Sequence, residues 1–351
     1  MTMVLNLRSA SRTKTRSIRS AADIIRSGGI VVFPTETVYG IGASAFNEDA
    51  CRKIYRIKGR APDNPLIVHV SSMKMAKSVG DIPARYSRIL SHEWPGPLTV
   101  VVKAKESVPK TVTGGLRTVA MRMPDNSIAL ELIKRSGVPI AAPSANISKR
   151  PSSTDATNAK RYFMGKVDAI IDSGSTEIGI ESTVLRLSDL SILRPGSYTP
   201  EHVREAFGRW PKMAFASKGV SRPPSPGMKY RHYSPEKPIY LFIGDIGRLP
   251  SIIKRSGSSG KFTFIGSKES CAAMKSCSAG VLDLGNRSRP HEIAHNLFSA
   301  LIALDSKKSK FGIIESFDES GIGIAIMNRI RKACSNKYFS DEKGFCNLIE
   351  G

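Results

Sequence analysis

The chain opens with an alternation, Met3-Val4-Leu5-Asn6-Leu7, whose period of two suits an edge strand. Ile18, Ala21, Ala22 and Ile25 then recur at helical spacing; the spacing predicts a helix from near Ser17 that Gly28 and Gly29 close before a strand at Ile30 to Phe33. Further short apolar runs follow, each bounded by turn residues: NPLIVHV, LTVVVKA, TVAMRM, VPIAAPS, VDAIIDSG and ESTVLRL. Strands alternating with helical stretches predict a mixed α/β unit over residues 1–212.

Between 213 and 237 the pattern stops. The stretch SRPPSPGMKYRHYSPEKP carries Pro223, Pro224, Pro226, Pro235 and, just beyond, Pro238, which exclude regular structure and mark a linker. Over 238–351 the alternation restarts as a smaller α/β unit: strand IYLFIG, a helix to about Arg255, strands KFTFIG and VLDLG, a helix over 290–305, strand FGIIES and a final helix from about Gly323. Such an order predicts a Rossmann-like sheet of mainly parallel strands with crossover helices. The length of 351 residues agrees with two domains.

Composition changes this picture in three places. No apolar run reaches the roughly 18 residues that a membrane-spanning helix needs, so a soluble protein is expected. The first twenty residues carry Arg8, Arg12, Lys14, Arg16 and Arg19 without an acid, as a transit peptide would, but the strand and helix patterns beneath them read as folded chain. Five cysteines without a CxxC pair or zinc spacing imply a reducing, cytoplasmic setting. Lys and Arg number 53 against 30 Asp and Glu, a net charge of +23 that attracts polyanions, nucleotides and RNA alike.

Candidate chemistry gathers in the first unit. In KGR, Lys58 and Arg60 stand two apart, so an extended backbone would aim both cations at one polyphosphate from an exposed mouth, and Gly59 would let that ligand approach the backbone. Ser144 and Asn146 follow the strand VPIAAP, where a hydroxyl and a carboxamide can donate to phosphate oxygens; equally, they are favoured turn and cap residues. Arg122, on TVAMRMP, offers a fork to a carboxylate or joins a structural ion pair. His69 reads equally as a core histidine. Neither GxxxxGK[ST] nor a GxGxxG after a strand is present, so a nucleotide would be held by dispersed side chains.

The stretches FPTETVYGIGA (33–43), KGRAPDNPLIVHV (58–70), HEWPGPLT (92–99) and APSANIS (142–148), followed by GIESTV (179–184) and LRPGS (193–197), closely resemble the YrdC-type domain. With SPGMKYRHYSP and a further domain, the chain resembles the long, two-domain threonylcarbamoyl-AMP synthases. That resemblance implies a mixed twisted sheet with a concave nucleotide cleft. It also implies an enzyme that consumes ATP with Mg2+, L-threonine and bicarbonate or CO2, and that serves a downstream tRNA threonylcarbamoyl transferase complex. It assigns Lys58, Arg60, Asn64, Thr118, Ser144, Asn146, Ser152, Arg194 and Tyr233 to ATP, with no side chain ligating the metal directly, and Lys58 and Arg60 to catalysis. Thr37, His69, Arg122, Ala142 and Ser182 fall to threonine. Ala61 and Ser234 depart from the family's usual proline and alanine without removing a ligand-binding group.

Three alternatives each fit part of the sequence. His291-Glu292-Ile293-Ala294-His295 fits the zinc-peptidase HExxH, yet no histidine follows, and Ala294, Leu297, Phe298, Leu301 and Leu304 give the segment an ordinary core face. The YrdC-like carbamoyl transferase of hydrogenase maturation would bring CxxC zinc pairs, which are absent. A non-catalytic RNA-binding module is the alternative that the charge alone would satisfy, and a direct tRNA contact is compatible with either reading.

Overall fold

The computed structural model describes residues 1–7, 11–215 and 232–350. Most of the linker expected over 213–237, including Tyr230 and Arg231, lies outside the described residues. The fold divides into one unit of Met1–Ser148 with Ser152–Tyr230 and a second of Lys149–Pro151 with Arg231–Gly351.

Twelve strands build the first unit: β1 (Met3–Asn6), β2 (Val31–Phe33), β3 (Gly40–Ser44), β4 (Ile67–His69), β5 (Gly80–Asp81), β6 (Leu98–Ala104), β7 (Thr118–Arg122), β8 (Ile140–Ala141), β9 (Ala169–Asp172), β10 (Thr183–Arg186), β11 (Ser191–Arg194) and β12 (Lys212–Met213). They hydrogen-bond in the order β1-β9-β2-β3-β8-β4-β7-β6-β10-β11-β12, with β5 beside β6. Pairing is mixed: β4 runs parallel to β7 while β3 and β4 both run antiparallel to β8. As its alternation predicts, β1 is an edge strand, parallel to β9, with Leu5 buried and Met3 and Val4 exposed.

Alternation also explains the unbroken run Ile30 to Phe33. Ile30 and Val32 enter a core with Ile41, Ile54 and Phe163, whereas Val31 and Phe33 enter another with Ile18, Ile25, Leu132 and Ile133. Both faces are covered by helices, and each such residue contributes roughly 1.5–3 kcal/mol on burial. The first helix begins at Ser11, six residues before its expected start. No apolar run marks β3. Its Gly42 has no room for a side chain, since a Cβ there would stand 2.6 Å from Ile140 and 2.7 Å from the Phe33 ring, so packing removes the apolar signal that marks other strands.

The second unit is a parallel sheet of β13 (Ile239–Phe242), β14 (Phe262–Gly266), β15 (Gly280–Asp283), β16 (Phe311–Glu315) and β17 (Tyr338–Phe339), ordered β15-β14-β16-β13-β17. Crossover helices cover it, as the alternation of elements requires. The helix Gly323–Ala333 is not the last element: β17 and the helix Glu342–Glu350 follow it. Among the described residues no helix is long and apolar enough to cross a membrane.

Candidate active site

Residues 48–58 form a helix because Asn47 caps it through Ala50 N and acidic Glu48 and Asp49 occupy its first turn. Gly59, at φ 59°, ends it in the left-handed cap that glycine adopts without strain. Lys58 is therefore a helix-terminal residue, and the expected extended KGR strand does not form. Nor does Lys58 lie at an exposed mouth: it is 1% exposed. Its ammonium donates to Ser144 O at 2.6 Å and to Asn146 O, which ties the helix end to the loop after β8. Burial, then the neighbouring Arg60 charge, holds its pKa well below the ordinary lysine value. Arg60 is half-buried and folds back on its own loop, donating to Asn64 O at 3.0 Å, Asn64 Oδ1 at 2.6 Å and Pro65 O at 2.8 Å.

The other nucleotide-side candidates lie on several elements. Ser144 Oγ donates to Asn146 Oδ1 at 2.6 Å, and Ala145 N donates to Tyr39 O, which joins this loop to the β2–β3 connection. Ser152 Oγ donates to Glu181 Oε1 at 2.7 Å. On β11, Arg194 is buried and donates twice to Ser182 O, at 2.9 and 3.1 Å, and once to Ser182 Oγ at 3.1 Å. Thr118 opens β7 on the face that also carries Arg122.

The threonine-side candidates surround the β2–β3 connection, residues 34–39, whose backbone is held by Ile178 N to Glu36 O and Gly179 N to Thr37 O. Arg122 is buried on β7. Its Nη1 pairs with Glu36 Oε1 at 3.1 Å and its Nη2 donates to Thr35 Oγ1 at 2.9 Å, while Thr35 Oγ1 lies 2.9 Å from Thr37 Oγ1. Of the two readings of Arg122, the structure shows the ion pair, made with Glu36. Ser182 Oγ is 2.7 Å from Thr99 Oγ1, and Ala142 N donates to Ile67 O beside β4. Sequence reasoning missed Glu36, Thr35 and Glu181; the polar stretch PTET between two apolar runs was the available signal for the first two.

His69 is in register with Arg122 on the adjacent parallel strand, and its ring meets Phe33 edge-on at 5.9 Å. Burial, then the Arg122 charge, holds its pKa well below the ordinary histidine value. The folded state therefore keeps the imidazole neutral, whereas the unfolded chain takes up a proton below about pH 6.5. Stability from this group is complete above that pH and falls below it, by roughly 1 kcal/mol at pH 5.5. Urea unfolding at pH 7.5 and 5.5 should give a smaller pH effect in His69→Gln than in the wild type.

In the second unit Tyr233 adopts φ 65°, and its ring lies 5.1 Å from Phe298 and 5.8 Å from the Arg329 guanidinium. The HExxH segment is the start of the helix Pro290–Leu304. Glu292 accepts from Arg289 and from Asn286 N, the five expected core residues are buried, and no group of three metal-ligating side chains occurs among the described residues.

Known proteins match over both units. A family model described as telomere recombination covers residues 23–196, and one described as the threonylcarbamoyl-AMP synthase C-terminal domain covers 198–335. The chain is 42% identical over 338 residues to the threonylcarbamoyl-AMP synthase of Pyrococcus abyssi, spanning 95% of this chain and 98% of that one. It is 40% identical over 333 residues to the Bacillus subtilis protein of the same name, spanning 93% and 95%. The crystal structure of P. abyssi Sua5 complexed with L-threonine matches with a TM-score of 0.88 at 40% identity, over 97% of this chain and 99% of that one.

Proposed function

Because the chain belongs to the threonylcarbamoyl-AMP synthase family, we propose that it joins L-threonine, bicarbonate or CO2 and ATP into threonylcarbamoyl-AMP with release of pyrophosphate. The observation that carries this reading is Lys58, a buried ammonium whose two partners are carbonyls and whose pKa a second cation, Arg60, helps to depress. Two cations this close, one of them withdrawn from solvent, suit a polyphosphate. Relatives named as synthases over nearly their whole length speak against a pure RNA-binding module.

Asn64, Thr118, Ser144, Asn146, Ser152 and Arg194 then line the nucleotide, and Thr37, His69, Arg122, Ala142 and Ser182 the amino acid. The contact of Ser182 with Arg194 supports adjoining half-sites, the arrangement in-line attack requires. The amine captures CO2, an oxygen of the resulting N-carboxylate attacks the α-phosphorus, and pyrophosphate leaves. No protein nucleophile is needed; Lys58 and Arg60 offset the charge that develops on the phosphates. Mg2+, held by ATP phosphates and water, would supply further charge neutralisation, and the neutral oxygens of Ser144 and Asn146 would accept from its waters. The product would pass to the tRNA threonylcarbamoyl transferase complex in the cytoplasm, and the charge of +23 favours direct contact with tRNA.

Incubation of the protein with ATP, labelled bicarbonate and L-threonine is expected to yield pyrophosphate and a labile labelled adenylate. ATP breakdown that ignores threonine would refute the reading. Tyr233 is proposed to act on the nucleotide as part of a lid that keeps water from the acyl-adenylate. Truncation at about residue 213 should leave a folded first unit that makes adenylate poorly or leaks it, and Tyr233→Ala should reproduce much of that defect. Full synthesis and unchanged nucleotide affinity in the truncated protein would reduce the linker to a tether.

A further inference from the structure

Three polar atoms around the Arg122 ion pair are buried without hydrogen-bond partners: Glu36 Oε2, Arg122 Nε and His69 Nδ1. Glu36 is the informative one. It is 3% exposed, its Oε1 is held by Arg122 at 3.1 Å, and its backbone is pinned by Ile178 N, so the second oxygen has a fixed place. A buried carboxylate oxygen without a protein partner is costly, and natural structures complete such groups with water, an ion or a ligand. Arg122 Nε, on the same ion pair, likewise has no partner, so the cluster holds one unmet donor and one unmet acceptor. That pairing is complementary to an α-amino acid, whose carboxylate accepts and whose amine donates.

We infer that Glu36 Oε2 receives the amine of the amino-acid substrate and is the base for its carboxylation. The inference rests on the synthase reading above and adds a residue to it. The bound ammonium first loses one proton to water. The nitrogen lone pair then forms the N–C bond to CO2, a C=O π pair moves onto oxygen to give the carboxylate, and the remaining surplus N–H proton passes to Glu36 Oε2. No oxidant or further reactant is required. Oε1 stays on Arg122 throughout, so the base is held in line by the residue that faces the substrate carboxylate.

Wild-type protein supplies the first test: L-threonine should raise the melting temperature, and 3-hydroxybutanoate, which lacks only the amine, should not at the same concentration. Equal stabilisation by the two overturns the inference whatever the variants do. Glu36→Gln keeps the shape and an acceptor for Arg122. It should weaken threonine binding about 10–100-fold with ATP binding unchanged, and lower kcat by a further 10²–10⁴-fold, roughly the worth of a general base. Retention of wild-type threonine affinity or of wild-type kcat in that variant overturns the assignment. If the wild type itself forms no adenylate, the synthase reading is what fails; an active wild type matched by Glu36→Gln removes only the role of Glu36.

Discussion

Lys58→Met is expected to lower threonine-dependent pyrophosphate release by roughly 10²–10³-fold, the usual loss when one preorganised group that stabilises developing charge is removed. Methionine keeps the aliphatic stem in the space that Lys58 fills and removes only the ammonium. That ammonium also holds Ser144 O and Asn146 O, so its loss frees the loop that carries two proposed phosphate ligands. The effect should fall on kcat and on ATP affinity together, while circular dichroism reports an unchanged fold. A variant with more than about a tenth of wild-type turnover would place the phosphates elsewhere. Arg60, which is half-buried and already bonded to Asn64 and Pro65, can be tested separately by Arg60→Ala.

Arg122→Ala should have two separable consequences. Truncation leaves the Glu36 carboxylate buried and uncompensated, and breaking a buried pair in this way costs about 3–5 kcal/mol of stability. Urea unfolding measures that loss, and adding Glu36→Gln should recover much of it because the stranded charge is gone. Calorimetry should show threonine affinity reduced by about 1.5–3 kcal/mol, the worth of a charged hydrogen bond, with ATP affinity little changed. Equal losses for the two ligands would leave Arg122 with only its structural role.

Much of this architecture is legible in the chain. Apolar runs with period two and period 3.6 identify β1, β2, β4 and β6 to β10, and the core faces of the helices that contain Ile25 and Phe298. These patterns survive because burial acts on every residue of an element, so the signal adds along it. Short segments whose packing excludes side chains, such as β3 with Gly42, carry no such signal.

The candidate site divides in the same way. Residue type marks Lys58, Arg60, Arg122, Ser144 and Asn146 as able to bind anions, and leaves turn, cap and ion-pair roles equally open. Where those groups sit was decided by tertiary structure. An extended KGR strand and a helix ended by Gly59 are both compatible with the local sequence; the helix forms because residues 50, 51, 54 and 55 bury one face, and that withdraws Lys58 from solvent. The partner of Glu36 was invisible to local reasoning, because nothing in PTET announces a residue 86 positions away on β7. Propensity and patterning are local and repeat along the chain, whereas the pairing of one buried charge with another depends on a sheet order that only the completed fold supplies.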